Sequence, residues 1–518
     1  MNIKQNLLGG ITAAVIALPL GLAFGVASGL GATAGIYGAI ILGFFASLFG
    51  GTPSQISGPT GPMTVVIAAA VIALESNLGL IVTTILLSGI FQIIFGISKI
   101  GKFVQYIPYP VISGFMSGIG IIIIILQINP YLGLASDASI VHILMTLPSN
   151  ISSANLSAFI IATATMIIMF FTPSKISKVI PTPLIALIVL TPFSFYLNLN
   201  VNTIGEIPAS LPSFVMPTMD LQHYTTVISL AITLAVLGMI DTLLTSIVAD
   251  SITGTKHNPN KELIGQGIGN SICALTGSLP GAGATMRTVI NIKSGGTHKI
   301  SGMIHSLILL AIVLFLAPLA SQIPLAILAG ILIKVGVDIL DYRFLSVWKD
   351  SPKNDLSVML VVFFITVFVD LITAVGVGIV LASLLIVYRI TKEAKITLVD
   401  THHKNILTDS EYDLADKNVR VIKINGAFFF GSSTAFESTA NSVLNTKVVI
   451  IDILDVPFID ITAIFTLKDL ISKLQIDDIK VMILAKDADK AQLLKLNKTR
   501  VFDKVEFYKN MDEAVKEI

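Results

Sequence analysis

The 518-residue sequence predicts an α-helical polytopic membrane protein that carries a small α/β domain at its C-terminal end. Three observations predict it. Apolar residues make up 54% of the chain and charged residues only 13%, far from soluble averages. Apolar runs of roughly 20 residues, the length that crosses the hydrocarbon of a bilayer, recur up to Tyr388. After Arg389 charges become dense and short apolar runs alternate with polar segments. The predicted organisation is a membrane domain over 1–390, a polar linker over 391–417 and a soluble domain over 418–518.

The first apolar run, Leu7 to Val26, follows Lys4, is rich in glycine and has no clear cleavage site, so it reads as a membrane helix and not as a secretory signal. Further segments are predicted at Gly31 to Leu48, Leu78 to Ile97, Val104 to Leu126, Ala158 to Phe171, Pro183 to Leu197 and Tyr224 to Ala249. The series continues at Leu263 to Leu275, Ser301 to Ala320, Leu325 to Val335, Leu356 to Leu371 and Thr373 to Ile390. Two more pieces, Pro62 to Leu74 and Thr285 to Ile292, are too short to cross alone. Each follows a Gly/Pro-rich break, and each falls third when the fourteen or so segments are divided into two sets of seven. Paired interrupted helices in matching positions are the mark of an inverted-repeat transporter, with the site between the half-helix N-termini near the midplane. Those N-termini carry free N–H groups and about half a positive charge each, which suits an anion.

The chemistry concentrates at the breaks. Ser57-Gly-Pro-Thr-Gly-Pro-Met-Thr64 precedes the first short helix, and Gly277-Ser-Leu-Pro-Gly-Ala-Gly-Ala-Thr285 precedes the second. Arg287 falls in the first turn after the second break and is the first arginine of the chain. Asp241 sits inside a predicted span, where an acid costs about 3 kcal/mol and marks a functional position unless it forms a structural ion pair. Thr245 lies one turn further on the same helical face. Glu75 ends a short helix and reads as interfacial; Asp250, Glu262, Lys334, Asp338 and Asp370 read as helix-end or gating charges. Tyr106-Ile-Pro-Tyr-Pro110 reads as a hinge or a plain span boundary.

Other functions are excluded. A net charge of +1 without a basic, aromatic-interleaved stripe gives no nucleic-acid footprint. The single Cys273 rules out a disulfide framework. His257, His298, His305 and the pair His402 and His403 show no metal-ligand spacing with Cys or acidic partners, so no metal is assigned to them. No P-loop appears, and no nucleophile is paired with a base, so the chain is not expected to be an enzyme.

These motifs resemble the SulP, or sulfate permease, family of anion transporters. The resemblance is carried by Gly9-Gly-Ile-Thr-Ala-Ala-Val-Ile-Ala-Leu-Pro19, Gly50 to Thr64, Ile112-Ser-Gly-Phe-Met-Ser-Gly-Ile-Gly120, Ile240 to Ser251, Asn260-Lys-Glu-Leu-Ile-Gly-Gln-Gly267 and Ala282-Gly-Ala-Thr-Met286. Within the family the chain looks most like the cyanobacterial branch that carries bicarbonate with sodium. The resemblance implies an anion held by Thr60, Ala284 and Thr285, and a sodium site lined by Asp241, Thr245, Gly283, Ala284 and Thr285. The substrate-binding set is therefore Thr60, Gly283, Ala284, Thr285 and Arg287. It also implies a multi-pass protein of the inner (plasma) membrane in contact with lipid, a homodimer, and a cytoplasmic C-terminal domain. Arg287 departs from the bicarbonate branch, which the resemblance assigns a glycine there, and agrees with many sulfate, chloride and dicarboxylate carriers. A guanidinium can supply the charge a bound sodium otherwise supplies. Bicarbonate or sulfate uptake coupled to sodium or protons, chloride or dicarboxylate exchange, and an anion sensor signalling through the tail all remain open here.

The tail alternates strands and helices: Val421-Ile-Lys-Ile, a polar helix from about Ser433 to Leu444, the buried-type strand Val448 to Asp452, a helix opening near Pro457 and a strand at Val481 to Ala485. It resembles a STAS domain through Asp452 to Ala463. Thr462 stands where related domains carry a phosphorylated serine; the reading preferred on the residues is that Thr462 caps the following helix.

Overall fold

The computed structural model describes residues 3–518 except 138, 178–179, 206–209, 221, 370, 400–417 and 441–445. Asp370, His402, His403 and most of the predicted linker thus lie outside the described residues. The chain divides into two compact units, Met1–Ile379 and Val380–Ile518.

The membrane unit opens with α1 (Ile3–Ala27), α2 (Ala32–Phe49), the short strand β1 (Ser57–Gly58), α3 (Gly61–Ala73) and α4 (Leu78–Ile97). It continues with α5 (Tyr109–Leu126), α6 (Leu156–Phe171) and α7 (Thr182–Tyr196). The second half repeats the order: α8 (Tyr224–Thr253), α9 (Pro259–Leu275), the strand β2 (Ala282–Gly283), α10 (Thr285–Lys293), α11 (Lys299–Ala320), α12 (Leu325–Ile339), α13 (Lys353–Phe368) and α14 (Leu371–Glu393), within which the boundary between the two units falls. Several of these helices are long and apolar enough to cross a membrane unaided, α1, α2, α4, α8 and α11 among them. Local sequence sets the starts. Asn77, Asn155 and Asn258 accept the amides of Leu80, Ala158 and Lys261, and prolines occupy the first turn of α3, α5, α7 and α9, where their missing N–H costs nothing.

Packing repeats with a seven-helix offset. Helix α1 packs on α11 and α8 on α4; α2 packs on α11 and α9 on α4; α5 packs on α13 and α12 on α6; α1 touches α10 and α8 touches α3. This reciprocity is what an inverted repeat requires, and it sorts the helices into two bundles. One is built from α1–α4 and α8–α11 and holds both breaks; α5, α6, α7, α12 and α13 form the other.

Some predicted edges move. The span expected from Val104 begins at Tyr109, because residues Ile100–Tyr106 form a 3-10 turn and Pro108 precedes the helix. Helix α9 starts at Pro259, four residues early, so Glu262 lies in its first turn. Helix α12 continues to Ile339. Ahead of α6, the amphipathic helix Ile140–Ser152 meets it at a 116° bend.

The second unit is a five-stranded sheet of β3 (Lys395–Val399), β4 (Val419–Asn425), β5 (Val448–Asp452), β6 (Lys480–Leu484) and β7 (Glu506–Tyr508), in that order. All neighbours are parallel except β3, which runs antiparallel to β4 along the edge. Strand β3 lies within the stretch read as linker. Four helices, α15 (Phe430–Ala440), α16 (Ile461–Ile476), α17 (Asp487–Lys495) and α18 (Met511–Lys516), cover it. Alternation decides the faces: Ile422 and Ile451 pack with Phe436 and Leu467, whereas Val421 and Ile450 pack with Val515 on the other side. The expected end of the polar helix at Leu444 lies outside the described residues. Thr462 is not the cap of α16: Asp460 fills that role, accepting the Ala463 amide at 2.8 Å, and Thr462 sits exposed in the first turn. The backbone puts Asp460, and not Thr462, at the extended position before the first helical residue, and its carboxylate complements the helix dipole there.

Candidate functional site

The two breaks meet. Strands β1 and β2 pair antiparallel, Ser57 with Gly283 and Gly58 with Ala282, so α3 and α10 leave the ladder from opposite ends and present their N-termini to one region. Thr64 is the first α3 amide to reach an intrahelical carbonyl, that of Thr60, and Thr288 is the first of α10, reaching Ala284. The preceding first-turn amides stay outside the helical ladder. Close approach demands glycine: a Cβ at Gly281 would overlap the Gly58 carbonyl oxygen and lie 2.7 Å from the Pro59 nitrogen. Gly281→Ala is accordingly expected to force the two breaks apart and cut uptake to background. The check is transport by purified, still-folded protein, and wild-type flux would contradict the packing argument.

A buried polar network holds the ladder. Glu262 is 1% exposed. Its Oε2 accepts the amides of Gly51 and Thr52, each at 2.7 Å, and its Oε1 accepts Gln55 Nε2 at 2.8 Å and Gln266 Nε2 at 3.0 Å. Gln266 also donates to Ser57 Oγ at 2.5 Å, and Ser246 Oγ donates to Gln55 Oε1 at 2.9 Å. On the second break, Asn270 exchanges hydrogen bonds with both the N–H and C=O of Gly281, each at 3.0 Å, and Ile56 donates its amide to Thr288 Oγ1 at 3.0 Å. Glu262 does stand at a helix end, as the sequence reading had it, but it is buried there and is the acceptor that ties the α2–β1 loop to α9. Gln55, Gln266 and Asn270 went unnoticed, although three carboxamides and an acid within otherwise apolar segments were a legible signal.

The predicted residues converge from three elements. Thr245 Oγ1 on α8 donates to the Gly283 carbonyl at 3.0 Å or shares a proton with Thr285 Oγ1 at 2.6 Å. Gly283 in turn donates its amide to Thr242 Oγ1 at 3.0 Å, and the Ala284 amide is taken by Ile56 O at 2.8 Å, so Ala284 keeps no free N–H for a ligand. Thr60 stands at the N-cap of α3, yet its side chain makes no capping bond. Its buried Oγ1 and the buried Oδ2 of Asp241 make no close hydrogen bond of good geometry, but the two side chains face each other and the Thr60 hydroxyl is the polar group set against the Asp241 carboxylate. Thr285 and Met286 are exposed, whereas Arg287 is 2% exposed. Arg287 Nη2 donates to the Pro59 carbonyl across the ladder, and its charge acts on Asp241 without closing an ion pair. Opposite the α3 N-terminus stands the other bundle: a Cβ at Gly61 would lie 2.6 Å from Ile123 Cδ1 on α5 and 3.1 Å from Ile339 Cδ1 on α12.

A repeat fold whose two half-helices leave one antiparallel ladder from opposite ends, with a buried acid on the neighbouring helix, has the architecture of a secondary membrane carrier. The chain belongs to the sulfate permease family: the family's model matches residues 3–362, and a STAS domain model matches residues 414–514. It is 45% identical over 91% of its length, and 87% of the relative's, to the bicarbonate transporter BicA of a Picosynechococcus species. The solved transmembrane domain of a cyanobacterial bicarbonate transporter BicA superposes with a TM-score of 0.68 at 49% identity, covering 73% of this chain and 98% of that one. The murine Slc26a9 anion transporter, solved in its inward-facing state, shares the fold with a TM-score of 0.87 at 19% identity, over 99% of this chain and 91% of that one. The protein is thus a multi-pass anion transporter with a C-terminal STAS domain, not an enzyme.

Proposed function

We propose that the chain is a secondary active transporter that carries bicarbonate together with sodium, holding the anion between the N-termini of α3 and α10. The observation that carries this reading is the cluster of oxygens beside those N-termini: the Asp241 carboxylate, Thr245 Oγ1, Thr285 Oγ1 and the Gly283 carbonyl. Carbonyls of unwound backbone together with hydroxyls and an acid are the donors that sodium takes in carriers of this architecture. Charge balance supports bicarbonate. Arg287 and Asp241 cancel, so one monovalent anion and one sodium leave the buried site neutral, whereas sulfate with one sodium leaves an uncompensated charge in a low-dielectric interior. The 45% identical relative bears the name bicarbonate transporter.

Transport then moves the bundle of both breaks against the other bundle, and the Gly61 contact with Ile123 and Ile339 is the seam that opens. Charge distribution supports an inner-membrane orientation with the STAS domain in the cytoplasm. None of the connections between α1 and α2, α3 and α4, α5 and α6, α7 and α8, α9 and β2, or α11 and α12 contains Lys or Arg, whereas the connections on the other side carry Lys99, Lys102, Lys175, Lys256, Arg343 and Lys349. Exposed Phe171, Phe193, Phe315 and Leu319 fit contact with lipid tails. The homodimer implied by the family resemblance belongs to the same proposal. Arg287 favours one competing reading, in which its fixed charge replaces sodium and the carrier runs on protons or exchanges anions. Radiolabelled bicarbonate and sulfate uptake into proteoliposomes, under an inward sodium gradient and separately an inward proton gradient, decides between them. Sodium-driven bicarbonate uptake is expected; proton-driven sulfate uptake indifferent to sodium would replace the proposal with the competing one.

A further inference from the structure

Behind the β1–β2 ladder lie buried polar atoms that no protein group satisfies. His305 on α11 is 0% exposed, and neither of its ring nitrogens is hydrogen-bonded, although a neutral imidazole carries one donor and one acceptor. Arg287 Nη1 is also buried without a partner, while Nη2 is held by Pro59. Two glycines locate these groups. A Cβ at Gly43 on α2 would stand 3.2 Å from His305 Nδ1 and 3.2 Å from the Ser57 carbonyl oxygen, and a Cβ at Gly58 would strike Arg287 Nη1. Imidazole and guanidinium therefore flank consecutive residues of β1, and the guanidinium charge acts on the imidazole. Ser306 Oγ near Gly43 already donates to the Gly302 carbonyl at 3.2 Å, so it does not complete His305.

Buried nitrogens of this kind in native proteins are satisfied by an ordered water, which needs two to four polar partners. We propose that His305 is a positioning residue of the anion site: through one buried water it accepts from Arg287 Nη1 and keeps the guanidinium from pairing with Asp241. With Nη2 on Pro59 and Nη1 on the water, the charge lies along the ladder and the Asp241 carboxylate stays open to a cation. Without His305 the unsatisfied Nη1 turns to the nearest acid, and a direct Arg287–Asp241 pair closes the site to both ions. This rests on the reading that anion and sodium bind beside Arg287 and Asp241.

The test is sodium-driven bicarbonate uptake by reconstituted full-length protein carrying His305→Phe, His305→Leu, His305→Gln or Arg287→Gly, and His305→Leu combined with Arg287→Gly. The apolar variants are expected to raise the bicarbonate KM and the half-saturating sodium concentration about tenfold, the equivalent of one hydrogen bond to a charged group, with Vmax retained. His305→Gln, which keeps a donor and an acceptor, is expected to restore most of the loss. In the Arg287→Gly background His305→Leu is expected to change neither constant. Unchanged constants in both apolar variants overturn the proposal, as does an equal effect with and without Arg287. Failure of both apolar variants to fold in either background also overturns it, by assigning His305 to folding alone. Wild-type protein that moves no bicarbonate sinks the functional reading instead, and is distinguished by the absence of any flux to compare.

Discussion

Asp241→Asn is expected to abolish sodium dependence while the protein stays folded. The substitution keeps shape and one oxygen but removes the only acidic group among the site oxygens described above. Taking away one member of a buried charged pair costs about 3–5 kcal/mol, so the half-saturating sodium concentration should rise about 10²–10⁴-fold. The same change leaves the Arg287 charge uncompensated, and bicarbonate binding measured without sodium should therefore be kept or strengthened. That asymmetry separates a coupling role from general damage, which weakens both ligands. Sodium titrations of uptake and of ligand-induced thermal stabilisation check it. Wild-type sodium dependence in Asp241→Asn would remove the acid from the coupling site.

Glu262→Ala is expected to have the largest effect on folding of any single substitution in the membrane unit. The carboxylate satisfies two backbone amides and two carboxamides. Each donor left buried and unpaired costs about 1–3 kcal/mol, so even partial rescue by water leaves a loss of about 3 kcal/mol or more. The α2–β1 loop loses its anchor on α9, and β1 loses its alignment with β2. Glu262→Gln, which retains one acceptor oxygen, is expected to fall between. Thermal unfolding of detergent-solubilised protein, followed by size-exclusion chromatography, gives the ranking. Melting of Glu262→Ala within about 1 °C of wild type would mean that the network is not what holds the break, since a kcal/mol is expected to move a domain's midpoint by more.

Much of the architecture was legible in the residues because the bilayer restricts the choices. Length and apolarity locate the spans, the Gly/Pro breaks locate the half-helices, and α10 begins at Thr285 as the break implied. Asp241 and Thr245 were legible because an acid and a hydroxyl one turn apart are conspicuous in an apolar helix. The charge asymmetry of the connections was also present in the sequence, but it has meaning only once each connection is assigned to a side. Strand β3 was not legible: Lys395-Ile-Thr-Leu-Val399 is a short edge strand within a polar stretch, and its identity comes from pairing with β4. The capping of α16 was misjudged because Thr462 and Asp460 are both good caps, and only the backbone geometry chooses between them.

By itself the sequence determined that the chain is a two-part membrane protein, that its two halves repeat, and that glycines, hydroxyls and a cation gather at two helix breaks. These follow from local properties: hydrophobic length, backbone permissiveness and the cost of polar groups in hydrocarbon. The tertiary structure decided which residues face which. The register of Ser57 with Gly283, the four donors on Glu262, the withdrawal of Arg287 beneath Pro59 and the company of His305 all join positions more than two hundred residues apart, apart from the Gln266 contact with Glu262 and the nearness of His305 to Arg287. No local propensity encodes such contacts, because each depends on the crossing of helices whose packing partners lie in the opposite half of the chain.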